Sequence, residues 1–103
     1  MVYFSKLSLQ DIDDFVVGLL SWRKFELSVD FVKIYRDKIV SECNSLDTKS
    51  FHLNANYSIH RQFGQKVYTY KRSKQTHWYI VYNLDSHGNV YIQRLFSNHT
   101  TAG

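Results

Sequence analysis

The spacing of apolar residues changes once along this chain of 103 residues, and the change limits the folds that it can adopt. Up to about residue 47 the apolar residues recur every three or four positions, as they do along one face of an α-helix. From residue 67 onward they form short runs rich in β-branched and aromatic side chains, which are typical of strands. The sequence predicts one domain, residues 1–103, in which a helical half precedes most of the strands.

The first elements are a short strand and a helix. Residues 2–4 form a β-prone run, and residues 9–20 carry apolar side chains at helical spacing. Ser8 is the predicted N-cap of this helix, and Asp11 lies in its first turn, where a carboxylate is favoured. We therefore interpret Ser8 and Asp11 as a helix start and not as a catalytic pair.

A second, longer helix is expected after a connection at residues 21–27. Ser28 is its predicted N-cap, and the helix should end at about Leu46. Two amphipathic helices joined by a short segment pack as a hairpin. The predicted apolar face of the second helix consists of Phe31, Val32, Tyr35, Ile39, Cys43 and Leu46.

The second half of the chain predicts three strands joined by tight turns. Residues 48–64 are polar with scattered aromatic side chains, and they favour no particular element. Gly88, in the loop at 85–89, is placed for the positive φ that a hairpin loop needs. The predicted strands are residues 67–72, 77–84 and 90–96, with a turn at 73–76 and a polar tail at 97–103.

Together these elements predict an α+β fold with the order β-α-α-β-β-β. The sheet should be small and antiparallel, with three or four strands, and the N-terminal strand should join it. The helical hairpin is expected to pack on one face of the sheet, with Cys43 in the core. Trp78 and Tyr82 are expected there too, and the alternative is that their rings stack on bases. The other face is expected to be free for function.

Charge is distributed unevenly along the chain. Residues 1–47 contain eight acidic and six basic residues, whereas residues 48–103 contain one acidic residue, Asp85, and seven basic ones. Aromatic residues make up 17% of the chain, more than one small core needs. A basic surface with rings between the charges favours an anionic partner, either RNA, whose bases stack on rings, or an acidic protein segment. A solvated surface without a partner is the alternative.

Several classes of protein are excluded by what the sequence lacks. No apolar run is long enough to span a bilayer, and the first residues do not resemble a secretory signal, so the cytoplasm is the expected location. The single cysteine cannot form an internal disulfide. His52, His60 and His87 have no second ligand at metal-binding spacing. We therefore expect no metal, no cofactor and no membrane partner.

In its order of elements and in its last two strands the chain resembles the RelE/ParE superfamily of bacterial type II toxins. The resemblance covers residues 2–100 and is most specific in two runs. The first is His-Trp-Tyr-Ile-Val-Tyr-Asn-Leu-Asp at 77–85, and the second is Val-Tyr-Ile-Gln-Arg-Leu-Phe at 90–96, followed by His99. The resemblance implies a cytoplasmic toxin that a cognate antitoxin holds inactive. In the RelE branch it also implies metal-independent cleavage of mRNA on the ribosome.

The resemblance further implies a site built on the last three strands. Metal-independent cleavage of RNA needs a base for the 2′-hydroxyl, a cation beside the phosphate and an acid for the leaving oxygen. This half of the chain has almost no carboxylates, so the base would be a histidine or a lysine of lowered pKa. The candidate catalytic residues are Arg72, Tyr79, Arg94 and His99, and the candidate RNA-binding residues are Tyr68, Tyr70, Lys71, Lys74, His77 and Asn98.

Strand alternation separates some of these candidates. Tyr68, Tyr70 and Arg72 share one face of their strand, and Lys71 takes the other. Arg72 and Lys71 therefore cannot both face one groove unless the strand bulges. We expect Arg72 and Tyr70 on the open face together with Tyr79, and Lys71 remains the alternative because it lies near the strand end.

Three further positions have alternative roles. Tyr79 stands where the RelE type member has an arginine. Arg94 shares a row with core-like residues, so it either extends out at the sheet edge or binds the antitoxin. His99 is either a catalytic residue or part of a frayed tail.

Three functions are compatible with these patterns. The first is an mRNA-cleaving toxin of the RelE type. The second is a non-enzymatic inhibitor of DNA gyrase like the ParE branch, which the missing arginine at position 79 favours. The third is a degenerate module that binds an antitoxin or nucleic acid and is not toxic.

Overall fold

A computed structural model describes residues 1–22 and 29–98. These residues form an α+β fold, which confirms the predicted fold class. A turn of 3₁₀-helix, Leu46–Thr48, follows the second long helix. None of the helices in the described ranges is both long and apolar enough to cross a membrane. The helices are α1 (Lys6–Trp22), α2 (Val29–Asn44) and α3 (Ser58–Arg61), and the strands are β1 (Val2–Phe4), β2 (Leu53–Asn54), β3 (Lys66–Lys71), β4 (His77–Leu84) and β5 (Val90–Ser97).

The strands form one mixed, five-stranded sheet in the order β1-β5-β4-β3-β2. β3, β4 and β5 are the predicted antiparallel meander. β1 pairs parallel with β5, with Val2 opposite Val90, and β2 pairs antiparallel with β3. The prediction of three or four antiparallel strands is therefore corrected. β1 and β5 are far apart in the chain, and the intervening helices supply the crossover that a parallel pair needs.

Most predicted boundaries agree with the structure to within two residues. β4 spans the predicted residues, and Gly88 has a φ of 81°. β3 is shifted by one residue toward the N-terminus, and β5 continues through Ser97, which the sequence assigned to a polar tail. α2 ends at Asn44, and its predicted cap, Ser28, lies outside the described residues.

α1 begins three residues before its predicted start because Ser5, and not Ser8, is the N-cap. Ser5 Oγ accepts a hydrogen bond from the amide of Ser8 at 3.0 Å, the contact typical of an N-cap. The Ser8 hydroxyl is buried and donates to the carbonyl of Ser5 at 2.8 Å. The prediction of Ser8 as the cap is wrong because Ser8 is already in the first helical turn.

The main core lies between the sheet and the two long helices. Trp78 of β4 donates through Nε1 to the hydroxyl of Tyr35 in α2 at 3.1 Å. Phe15 of α1 packs edge-on against the Trp78 ring, with centroids 4.7 Å apart. In the predicted apolar face of α2, Phe31 is exposed and the other members are buried. The core cluster consists of Ile12, Tyr35, Ile39, Cys43, Leu46, Trp78, Ile80, Tyr82, Val90, Ile92 and Leu95.

Candidate functional site

The candidate site lies on the face of the sheet opposite α1 and α2, which we call the outer face. Because side chains alternate along a strand, the register assigns the residues of β3, β4 and β5 to one face or the other. Tyr79 pairs with Thr69 and with Phe96, and His77 pairs with Lys71. The outer face carries Val67, Thr69, Lys71, His77, Tyr79, Val81, Arg94 and Phe96.

Residues 55–64, which we call the cover segment, lie across part of the outer face. Gly64 approaches β4 so closely that a Cβ atom there would lie 2.8 Å from Val81 Cγ1 and 3.0 Å from the carbonyl oxygen of Tyr82. Val81 is fully buried under this contact. The expectation of an entirely free second face is therefore wrong, since the cover segment adds a wall to the sheet surface.

Rings from the cover segment and from the sheet surround His60 of α3. The His60 ring lies 5.1 Å from the Tyr79 ring and 5.9 Å from the Phe96 ring, to which it is nearly parallel. The Tyr57 ring stands almost perpendicular to the imidazole at 5.6 Å, and the Phe63 ring lies 5.8 Å from Phe96. We call these five rings the His60 cluster.

An open pocket of about 200 Å³ adjoins the His60 cluster. It is lined by Tyr57, Ile59, His60 and Tyr79. Tyr57 is 69% exposed, whereas His60 is only 3% exposed. One wall of the pocket is therefore a ring that extends into solvent, and another is a buried imidazole.

His60 is the buried polar group of this pocket. Its Nδ1 atom has no hydrogen-bond partner among the described residues. Burial lowers the pKa of the His60 imidazole from its ordinary value, because the charged form loses hydration, so the ring is neutral near pH 7. A neutral imidazole has one donor and one acceptor nitrogen, and it can therefore pair with the polar edge of a ligand or accept a proton.

Arg94, a predicted catalytic residue, is held in place by Asp11 of α1. Its Nε and Nη2 atoms donate to the two carboxylate oxygens at 2.8 and 3.0 Å. Its guanidinium lies over the rings of Phe63 and Phe96. β1 is too short to pair with this part of β5, and the amide of Leu95 donates instead to Asp11 Oδ2 at 2.9 Å. The cation is thus engaged within the protein.

A bulge places Arg94 on the outer face. The register between β4 and β5 shifts between Val81 and Tyr82. Arg94 consequently faces outward although Ile92, two residues earlier, belongs to the core. The prediction that Arg94 shares a core-like row is wrong, and its position agrees with the alternative of an arginine that extends at the sheet edge.

Arg72 and Tyr70 lie on the helix-covered face, so the prediction that they share the open face with Tyr79 is wrong. The Arg72 guanidinium lies over the Tyr35 ring of α2, 3.7 Å from its centroid. Tyr68 and Tyr70 pack against the core on the same side. The alternation was predicted correctly, but the face was not, because alternation alone does not show which side of β3 the helices cover.

The remaining candidates lie near one end of β4. Lys71 and His77 are paired on the outer face, and Lys71 is exposed. Lys74 is exposed in the turn between β3 and β4. Asn98 supports that turn, because its carboxamide accepts from the amide of His77 at 3.0 Å and donates to a carbonyl in the turn at 2.9 Å. His99 lies outside the described residues.

His60 and Asp11 are the site residues that sequence reasoning missed. A signal for His60 exists, since Tyr57, His60 and Phe63 recur every three residues in a polar stretch, as on one side of a helical turn. The role of Asp11 has no local signal, because its partner Arg94 is 83 residues away. Within residues 1–22 and 29–98 there is no group of three or more side chains suited to hold a metal ion.

No protein-family model matches the chain, and neither curated proteins nor solved structures include a match. A functional conclusion therefore depends on the residues of the outer face and on their chemistry.

Proposed function

We propose that this protein is a toxin of the RelE type, which binds and cleaves mRNA on the outer face of its sheet. In this proposal it acts on ribosome-bound mRNA in a bacterial cytoplasm, and a cognate antitoxin holds it inactive. The observation that carries the proposal is the placement of Lys71, His77 and Tyr79 on one sheet face beside the His60 cluster. An imidazole, a cation and a phenol can supply the base, the charge stabilisation and the acid that cleavage of RNA without a metal ion requires.

Each of these groups has a role in the proposed reaction. His77 accepts the proton of the 2′-hydroxyl, whose oxygen then attacks the adjacent phosphorus. Lys71 stabilises the negative charge that develops on the phosphate oxygens. Tyr79 donates its proton to the leaving 5′-oxygen, so that the products are a 2′,3′-cyclic phosphate and a 5′-hydroxyl. Solvent then takes up the proton from His77 and returns a proton to Tyr79.

Inducible expression with mapping of transcript ends tests this function. We expect growth arrest with cleaved transcripts, and loss of cleavage in Tyr79→Phe, which keeps the ring and removes the hydroxyl. Tyr68→Phe is the matched control, because Tyr68 lies on the opposite face and donates its hydroxyl to Glu42. Growth arrest with intact mRNA in the wild type would contradict the proposal.

A second function, inhibition of DNA gyrase without catalysis, is favoured by a separate observation. Both predicted catalytic arginines already have partners within the protein, Arg94 at Asp11 and Arg72 over Tyr35. A binding protein does not need these cations free. This alternative predicts DNA damage on expression, intact transcripts, and full toxicity of Tyr79→Phe.

A further inference from the structure

We propose that the pocket beside the His60 cluster binds one nucleobase of single-stranded RNA, and that the His60 imidazole distinguishes between bases. The inference rests on the proposed function only in naming RNA as the source of the base. The pocket itself is argued from its lining, its volume and its surroundings.

The first argument is the unpaired nitrogen of His60. Native proteins pair most of their buried polar atoms, and an exception needs an explanation. His60 Nδ1 is buried without a partner among the described residues, and the same imidazole lines the pocket. A ligand with donors and acceptors on its edge would supply the missing hydrogen bond. A base reaches this buried nitrogen only if a neighbouring ring rotates, and Tyr57, which is 69% exposed, is the ring that the proposal requires to rotate.

The second argument is the shape and volume of the pocket. Its volume is about 200 Å³, which is below the range of roughly 300–1,000 Å³ that holds drug-sized ligands. Tyr57 and Tyr79 contribute rings to its lining, and Ile59 contributes an apolar side chain. A single planar ring system with a polar edge fits these walls, because bases stack on aromatic side chains. A neutral imidazole is a poor binder of free phosphate, which disfavours an anion as the occupant.

The third argument is the charge around the pocket. Thr48 to Leu84 contains no acidic residue, so no carboxylate of this segment repels a phosphate. Arg61 follows His60 in the chain and is exposed, and Lys71 is exposed on the same sheet face as Tyr79. A nucleotide whose base occupies the pocket therefore has cations available for its phosphates outside the pocket.

Titration of the purified full chain with the four nucleoside 5′-monophosphates tests the inference. Ribose 5-phosphate is the control ligand, because it has the sugar and phosphate without a base. We expect at least one nucleotide to bind ten-fold or more tightly than ribose 5-phosphate, with differences among the four bases. Chemical-shift changes in the nuclear magnetic resonance spectrum should centre on Tyr57, His60 and Tyr79. Equal binding of all five ligands, or shift changes confined to another surface, would overturn the inference.

Two variants separate stacking from hydrogen bonding. Tyr57→Ala removes an exposed ring, and we expect binding of every nucleotide to weaken about ten-fold. His60→Phe keeps a ring in the cluster and removes both nitrogens, so the four nucleotides should bind with similar affinity. His87→Phe, the same change in an exposed hairpin loop, should keep the wild-type order of affinities. An unchanged order in His60→Phe would overturn the role of the imidazole.

If His60→Phe does not fold, the ¹⁵N resonances of the His60 ring in the wild type give the same information. A hydrogen bond to the base should move them when a nucleotide binds, and unmoved resonances would exclude the contact. The outcomes also separate the inference from the proposed function. Nucleotide binding without transcript cleavage would support the pocket and contradict the proposed toxin function. Transcript cleavage without nucleotide binding would support the toxin function and contradict the pocket.

Discussion

At the end of β3, Lys71 and Arg72 present the same charge on opposite faces of the sheet. Lys71 is exposed on the outer face, whereas the Arg72 guanidinium lies 3.7 Å from the centroid of the Tyr35 ring. A cation over a ring, with its aliphatic part packed on apolar surface, stabilises a fold. Arg72 therefore stabilises the fold, whereas Lys71 is free to bind RNA in the proposed function.

Alanine substitutions at these two positions should affect different quantities, stability at Arg72 and RNA binding at Lys71. Arg72→Ala should lower the free energy of unfolding by about 1 kcal/mol and leave RNA affinity unchanged. Lys71→Ala should leave stability within about 0.5 kcal/mol of the wild type. It should also reduce the slope of log affinity for RNA against log salt concentration by about 1. Urea unfolding and RNA titrations at several salt concentrations measure both quantities, and a loss of RNA affinity in Arg72→Ala alone would contradict the assignment.

Protonation of Asp85, in the loop between β4 and β5, should lower the stability of the protein. A hydrogen bond from the Asn89 side chain, together with loop amides and the Tyr91 hydroxyl, lowers the pKa of Asp85 to about 2. Since this pKa is below the unfolded value of about 3.9, the contribution to stability is complete above pH 4 and is lost as the pH falls toward 2. A titration of the Asp85 carboxyl group by nuclear magnetic resonance measures this pKa. Asn89→Ala should move the pKa of Asp85 upward, and an unmoved value would disprove the cause.

At the scale of elements, the cover segment depends on one small residue. Gly64 has no room for a side chain, since a Cβ atom would lie 2.8 Å from Val81 Cγ1 and close to the backbone of β4. The backbone of a central strand cannot give way without loss of pairing. The close contact that forms the pocket wall is therefore possible only with glycine at this position.

Gly64→Ala should destabilise the protein by about 1–3 kcal/mol through overpacking. Gly18→Ala is the matched control, because Gly18 lies in α1 with nothing within 4 Å of its would-be Cβ. That change should stabilise the protein by about 0.5–1 kcal/mol, as alanine favours a helix over glycine. Thermal or urea unfolding of both variants gives the comparison. Equal effects of the two substitutions would show that the cover segment does not pack as described.

The elements differ in how much of them was predictable from sequence. β4 was predicted with its boundaries because the run at 77–84 is short, rich in aromatic and β-branched residues, and flanked by turn residues, all of which favour a buried strand over a helix. β2 and α3 were not predicted. Two residues are too few to show a strand pattern, and the recurrence of Tyr57, His60 and Phe63 is too short to define a helix by itself. Both elements are stabilised by β3 and by the outer face. The prediction that Arg72 lies on the open face was wrong for a related reason. Alternation shows which residues of a strand share a face, but the position of the helices decides which face is covered.

At the scale of the whole molecule, the ion pair between Asp11 and Arg94 joins the acidic half of the chain to the basic half. The carboxylate receives both guanidinium contacts and the amide of Leu95, so one side chain completes the edge of the sheet. Both partners are largely shielded from solvent, which limits screening by salt. One of the seven basic residues of the second half is thus neutralised internally.

Asp11→Ala should lower the free energy of unfolding by about 2 kcal/mol, because it leaves a half-buried cation and a strand amide without a partner. Asp13→Ala, an exposed position in the same helix, should change stability by less than about 0.5 kcal/mol. Equilibrium unfolding in urea measures both. Similar values for the two variants would contradict a structural role for the pair.

The pairing of β1 with β5 has a consequence for synthesis of the protein. Residues 1–11 contact residues 89–95, so they are synthesised long before the strand with which they pair. Contacts of such long sequence separation form slowly, and a nascent chain cannot form them before residues 90–97 have left the ribosome. A product that terminates before residue 90 would lack β5, the strand that lies between β1 and β4 and pairs with both. Premature termination would therefore yield a chain without an assembled outer face, and the outer face can form only after translation has passed this strand.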